Sequence, residues 1–396
     1  VSSPPATQLL AGVREIVAVH SAKGGVGKST VAANFACAYA RMGMSVGLLD
    51  ADVHGPSIAH MFGSSAAPET LPDRRKVLPL LRHGVRYLSL ANVAPEGAPI
   101  IWRGPMVASA LGQLLEIADW GALDVLLVDM PPGTGDAVLG IGQSVRLSGV
   151  VVVTTPQGLS LSDTRRGVRA FGQLQVPILG LVENMAAFVC DCGERVAIFG
   201  EGGGAAAAES LEIPFLGRIP LEPAVVETGD AGRPIVDANP GSAAAIAFES
   251  AARAVLAQLA LQGRARGGLD LVWERRSGAL RREPPQRPAH GPAATDAATP
   301  VAVWQASDDV LAIRWADGVT TFHRARELRL ACPCAACADE WTREKLPSLA
   351  GVPADVRPVA FRSVGRYALQ PEWSDGHRTG LFTFRELRAG AGAIDV

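Results

Sequence analysis

Two lysines, three glycines and a closing Ser-Thr pair lie within ten residues, Ser21 to Thr30, in the order Ser-Ala-Lys-Gly-Gly-Val-Gly-Lys-Ser-Thr. The backbone of Gly24, Gly25, Val26 and Gly27 would turn its N–H groups inward around phosphate oxygens, and a following helix N-terminus would add a favourable dipole. Lys28 would pair with the β- and γ-phosphates, Ser29 would offer its hydroxyl to Mg²⁺, and Thr30 would contact the α-phosphate. The strict pattern has Gly where this chain has Ala22, a mild change. The plain alternative is a glycine-rich turn that holds no ligand. Lys23 is an extra cation at the mouth of the loop. In deviant phosphate loops a lysine at this place reaches across a dimer to the partner's nucleotide, acting in trans as an arginine finger does.

Acids stand where such a site needs them. Leu48 to Asp52 ends one apolar run, so Asp50 and Asp52 can hold the Mg²⁺ shell and orient an attacking water. Val125 to Asp129 ends another in a single carboxylate and runs into the glycine-rich turn Pro131 to Asp136, suited to sensing a γ-phosphate. A buried carboxylate without a cation is costly, which favours Mg²⁺ over ordinary strand-end caps for Asp52 and Asp129.

The elements that must position these groups follow from the pattern. Apolar runs at Ile16–His20, Val46–Leu49, Val85–Leu90, Val125–Asp129, Val150–Thr154 and Ile178–Val182 alternate with helical stretches. That is the pattern of an α/β fold, a mainly parallel sheet covered by helices on both faces. After the loop, Val31, Phe35, Ala38 and Tyr39 recur at helical spacing, and Cys37 among them reads as core. Residues 1–12 read as a lead-in and 13–261 as the nucleotide-binding domain. Residues 262–300, with seven Arg, four acids and five Pro, read as a linker. Residues 301–396 read as a small α+β domain with strands near Leu311–Trp315, Val319–Phe322, Arg366–Leu369 and Leu381–Phe384.

The nucleotide motifs occur together with Leu48–Ser57, Ile101–Pro105, Val128–Asp136, Thr154–Gln157 and Val182–Met185. In this combination residues 10–258 resemble the Mrp/ApbC family of iron–sulfur cluster carrier ATPases, relatives of MinD and ParA. The resemblance implies ATP hydrolysis, an adenine contact by Asn184, and an ATP-controlled homodimer that receives clusters from an assembly scaffold and passes them to apo-protein clients. It also implies a cysteine pair on the dimer axis, and Cys190 and Cys192 stand in that segment. Two thiols from each subunit supply the four that a 4Fe–4S cluster needs. The family pair is usually Cys-x-x-Cys; here it is Cys-x-Cys, which changes how the thiols converge unless the segment is extended. Two incidental thiols are the alternative.

A second set, Cys332, Cys334 and Cys337 with His377, has the composition of a tetrahedral Cys₃His zinc site. Residues 303–390 resemble the zinc-bearing N-terminal module of γ-butyrobetaine hydroxylase, which implies Zn²⁺ but not the hydroxylase reaction. A second iron–sulfur site or a metal-free domain stays open. His20 and His54 lie near the loop in sequence without clustered partners.

The net charge of −2 gives no reason to expect nucleic acid or an anionic membrane as partner. Apolar runs are of strand length, and no basic-then-apolar leader precedes them. The expected compartment is the cytoplasm, where six cysteines read as ligands or buried thiols rather than disulfides. A MinD/ParA-like positioning switch is the rival reading, and it has no need of Cys190 and Cys192.

Overall fold

Val, Leu and Ile runs buried on both faces need neighbours on both sides, and they find them in a parallel sheet. The computed structural model describes residues 10, 12–52, 55–71, 76–89, 92, 112, 114–115, 117–135, 138, 140–141, 145, 147–189, 195–262, 270–273, 280–284, 300–339, 341–364, 368–390 and 393–394. The chain divides into two compact units, Val1–Val255 and Leu256–Val396.

In the first unit the strands are β1 (Val13–His20), β2 (Val46–Asp50), β3 (Glu69–Leu71), β4 (Lys76–Leu78), β5 (Leu80–Arg82), β6 (Val85–Ser89), β7 (Leu123–Asp129), β8 (Gly149–Thr154), β9 (Ile178–Glu183), β10 (Phe188–Val189), β11 (Arg195–Val196) and β12 (Phe215–Arg218). Eight of them form one sheet in the order β12-β9-β8-β1-β7-β2-β6-β5. Neighbours run parallel throughout, except that edge strand β5 is antiparallel to β6. The α/β class expected above is the one observed. β1 is central, so the loop that follows it hangs from the best-supported strand. The register sets Asp50 of β2 beside Asp129 of β7 on one side and Ser89 of β6 on the other.

Helix Lys28–Arg41 packs its apolar face inward, with Val31, Phe35, Ala38 and Tyr39 fully buried. Cys37 is buried with them, and burial pushes its thiol well above the usual range. Helix Ala243–Gln262 is long and apolar enough to cross a membrane by length and composition. In this fold 67% of its apolar window is buried, and Tyr39 Oη donates to Ala252 O from the neighbouring helix.

The second unit holds two antiparallel four-stranded sheets. One comprises β13 (Asp270–Val272), β17 (Pro358–Val364), β18 (Ala368–Trp373) and β19 (Phe382–Thr383); the other comprises β14 (Pro300–Gln305), β15 (Val310–Trp315), β16 (Thr320–Arg324) and β20 (Ala393–Ile394). Strand β13 falls inside the stretch read above as a linker and pairs with β17. The expected strand Leu381–Phe384 is shorter: Phe384 opens helix Phe384–Arg388, because Thr383 and Glu386 form a capping box there. The core gathers Trp315, Leu328, Phe361, Leu369 and Trp373, and Cys332 and Cys337 belong to it.

Candidate functional site

The loop between β1 and helix Lys28–Arg41 is built around left-handed glycines. Gly25 and Gly27 have φ of 79° and 78°, which favours residues without a Cβ. A Cβ on Gly27 would also lie 2.2 Å from Asn184 Nδ2, so only glycine fits. A Cβ on Gly24 or Gly25 would meet nothing within 4 Å among the described residues, which leaves room there for a ligand. Val26 is held by its carbonyl, which accepts from Asn184 Nδ2 at 2.9 Å. Asn184, expected on the adenine side, therefore also braces the phosphate loop. The turn after β7 docks on the same loop, with Gly133 N donating to Ser21 O at 2.9 Å.

Lys28 is buried among acids. Its Nζ lies 2.5 Å from Asp129 Oδ1 and 3.7 Å from Asp52 Oδ2, and it donates to Ser29 Oγ at 3.2 Å. Asp129 is fully buried; burial raises its carboxyl above the usual range, and Lys28 pulls it partly back. Asp50 is pushed up to about 7, first by burial and then by Asp129. Three donors hold Asp50 in place: Ser89 Oγ at 2.9 Å, Ile58 N at 3.2 Å and Asp52 N at 3.2 Å. Asp50 thus anchors the turn that presents Asp52 to Lys28. Among the described residues, Asp52 Oδ1 and Asp129 Oδ2 are buried without a hydrogen-bond partner. Buried carboxylate oxygens of this kind suit a hard divalent cation, so the donor set fits Mg²⁺ beside a phosphate.

Lys23 sits apart from this cluster. Its Nζ pairs with Asp163 Oδ2 at 3.2 Å on helix Gly158–Gln173, and Arg166 holds the same carboxylate. His20 at the end of β1 is fully buried, edge-on to Phe171 at 5.0 Å. Burial, then Lys28, push its imidazole down to about 3, so it is a neutral packing residue. Thr30 O accepts from Asn34 Nδ2 at 2.9 Å, an ordinary first-turn contact of the helix.

The thiol set of the second unit is brought together as expected. Helix Ala325–Leu330 delivers the Cys332–Cys337 knuckle, closed by Cys337 N donating to Cys334 O at 2.8 Å. A tight turn after β18 delivers His377, with Trp373 N donating to His377 O at 2.9 Å. The four ligand atoms lie within 4.8 Å of one another. His377 Nε2 is 3.2, 3.4 and 3.8 Å from the Sγ of Cys332, Cys334 and Cys337, and Cys332 Sγ is 3.6 Å from Cys334 Sγ. A tetrahedral ion with sulfur at about 2.3 Å and nitrogen at about 2.0 Å sets its ligands roughly 3.5 to 3.8 Å apart, so the set fits zinc. Hydrogen bonding from Cys332 and Cys337 holds the Cys334 thiol far below the usual range, while Cys332 is raised.

Cys190, Cys192, His54, Asp136 and Ile101–Pro105 lie outside the described residues. Sequence reasoning missed Ser89, the Lys23 partner Asp163, and the pair Arg329 and Asp375 beside the thiols. A polar residue ending the apolar strand β6 was the available signal for Ser89. An arginine three residues before Cys332, on a helix face that is otherwise buried, was the signal for Arg329.

Comparison with known proteins places these features in a lineage. Residues 303–388 match the N-terminal family of γ-butyrobetaine hydroxylase-like proteins. The iron-sulfur cluster carrier protein of Deinococcus radiodurans is 49% identical over 254 residues, 64% of this chain and 72% of that protein. The Arabidopsis thaliana iron-sulfur protein required for NADH dehydrogenase, mitochondrial, is 46% identical over 249 residues, 62% of this chain and 79% of that protein. A nucleotide-binding protein of Archaeoglobus fulgidus, solved in complex with ADP, superposes with a TM-score of 0.52 at 38% identity, covering 58% of this chain and 90% of that one. Residues 12–256 match the ParA family described as NUBPL iron-transfer P-loop NTPase, and with relatives this similar the chain belongs to that family.

Proposed function

We propose that the chain is an ATP-dependent iron–sulfur cluster carrier of the cytoplasm that works as a homodimer and hands its cluster to apo-protein clients. The observation that carries this reading is the meeting of Lys28, Asp52 and Asp129 at a glycine cradle, with carboxylate oxygens buried and unsatisfied, in a chain of the iron-transfer family.

The residues divide the work. Gly24, Gly25, Val26 and Gly27 present backbone amides to the phosphates, and Lys28 neutralises charge that builds on them. Ser29, Asp50, Asp52 and Asp129 form the cation side, with Asp52 placed to orient a water and Asp50 fixing the turn that carries Asp52. Ser29, Asp52 and Asp129 would hold Mg²⁺, which would supply positive charge to offset the phosphates and these acids. Asn184 reads the adenine and braces the loop through Val26. Lys23 exchanges Asp163 for the partner subunit's nucleotide, so that hydrolysis requires two chains. Solvent screens that surface pair, so the exchange costs little. Cys190 and Cys192 from both chains hold the cargo, a 4Fe–4S cluster. Cys332, Cys334, Cys337 and His377 hold zinc and stabilise a module that docks clients.

Anaerobic reconstitution tests the carrier reading. Wild type is expected to take up iron and sulfide, and a Cys190→Ala/Cys192→Ala variant to take up far less; equal loading in both sinks the carrier site. It also separates this reading from a positioning switch, which needs no cluster and is disfavoured by the cluster-carrier name of the Deinococcus radiodurans relative. Lys23→Ala is expected to lower ATP turnover by roughly 10³-fold with little change in stability. Unchanged turnover would remove the lysine from the mechanism.

A further inference from the structure

We propose that Arg329 is a positioning residue of the Cys₃His site, holding Cys337 as a hydrogen-bonded thiolate ligand and, through Asp375, fixing the turn that delivers His377. The inference rests on the reading of that site as a metal centre.

The geometry is specific. Arg329 lies on the buried face of helix Ala325–Leu330, only 7% exposed. Its Nη1 donates to Cys337 Sγ at 3.2 Å, and its Nε donates to Asp375 Oδ2 at 2.8 Å. The other oxygen of Asp375 accepts from His377 N at 3.0 Å. One guanidinium and one carboxylate therefore tie a sulfur ligand on the knuckle to the backbone of the nitrogen ligand on the turn, 40 residues apart in sequence.

Charge gives the tie its purpose. Three thiolates and a neutral imidazole around a divalent ion leave one net negative charge, set here in a core with Trp373 and Leu328. Cys337 is 2% exposed, so water does little to stabilise its sulfur. A guanidinium is a permanent cation that needs no proton exchange to stay charged. A hydrogen bond from it to the sulfur draws off electron density and makes that thiolate a weaker nucleophile. Cys334 has a neutral donor instead, Thr379 Oγ1 at 3.4 Å. Cys337 and Cys334 are therefore unequal, and Cys337 is the one with a cationic donor. Residues around a metal that orient its ligands typically change affinity 10- to 100-fold when removed. The arrangement suits a metal that is retained, not one that is passed on.

The test uses the full chain in wild-type, Arg329→Met, Arg329→Lys and Asp375→Asn forms. Zinc per chain, the rate of zinc loss to a chelator, the iodoacetamide alkylation rate of each cysteine, and the sulfur-to-metal band of the cobalt(II)-substituted protein are measured. Arg329→Met is expected to lose zinc 10- to 100-fold faster, to expose Cys337 to alkylation ahead of its neighbours, and to shift the cobalt band. Arg329→Lys, which keeps the charge but not the fork, should fall between, and Asp375→Asn should speed zinc loss while sparing Cys337. Equal loosening of all three cysteines, or a band and alkylation order like wild type, overturns the proposal. If Arg329→Met does not fold, the alkylation order in Arg329→Lys decides. Wild type without bound metal defeats the reading of the site itself; a loaded wild type with an indifferent Arg329 defeats only the inference.

Discussion

The nucleotide cradle and the thiol site solve the problem of buried charge in opposite ways. The cradle collects Lys28 from the start of a helix, Asp50 and Asp52 from the end of β2 and the turn after it, and Asp129 from the end of β7, and its tightest contact joins Lys28 to Asp129, 101 positions apart in sequence. It leaves carboxylate oxygens unsatisfied and pushes two acids upward. The thiol site takes three of its four ligands from one six-residue knuckle, and its sulfurs have donors in Arg329 and, 45 positions away, Thr379. The cradle depends on the sheet that holds it, whereas the module around the thiols depends on its ligands. The cradle thus carries an electrostatic cost on its acids that a bound cation would relieve.

The largest test of that contrast is metal removal. Structural zinc in small domains contributes on the order of 10–16 kcal/mol, and Cys332 and Cys337 belong to the core of the second unit. Chelation is expected to abolish hydrogen-exchange protection across β14 to β19 while the first unit keeps its own. Protection that survives in both units would erase the contrast. Next, Lys28→Ala leaves Asp129 buried without its cation, which costs about 3–5 kcal/mol. Urea unfolding of the first unit should show that loss, and MgATP binding should fall together with it; wild-type values for both would mean that the acids are already neutral.

A smaller effect is a pH slope. Asp50 has its folded value raised to about 7 from 3.8. The folded state then holds the proton more tightly than the unfolded one. The penalty is absent below about 4, grows as pH rises, and is complete above about 7. Without nucleotide, the first unit should lose stability across that window, and Asp50→Asn should flatten the slope. An unchanged slope in the variant would place the charge elsewhere. The smallest effect is local. Thr383→Ala removes the cap of helix Phe384–Arg388, where Glu386 N donates to Thr383 Oγ1 at 3.2 Å. About 1 kcal/mol should be lost from the second unit alone, read as a lower melting point with zinc still bound.

Strands whose residues are apolar on both faces were legible because a parallel sheet leaves little room for other patterns. Val150–Thr154 and Val125–Asp129 differ from the observed strands by a residue or two. Strand β12 was missed: it is short, and Gly217 interrupts its apolar run. Strands β14 and β17 open on Pro300 and Pro358, which reads as loop although a first strand position tolerates proline. Strand β18 contains Pro371, but β19 covers only Ala368 and Leu369 on its far side, so that proline costs no ladder bond there. Within the sites, residue types with forced spacing could be read, as in the glycine-and-lysine loop of Lys23 to Thr30 or the cysteine knuckle. Asp163 and Arg329 could not, because their meaning comes from partners brought close only by folding.

The pairing of Asp50 with Asp129 on one side and Ser89 on the other has a consequence for how the chain finds its shape. Side chains alternate between faces of a strand, so a slip of one residue between β2 and β7 would turn one carboxylate to the opposite layer. There it would meet hydrocarbon and no lysine. Misaligned sheets are thereby penalised as they form, and the groups that await the nucleotide double as the proofreader of the sheet that carries them.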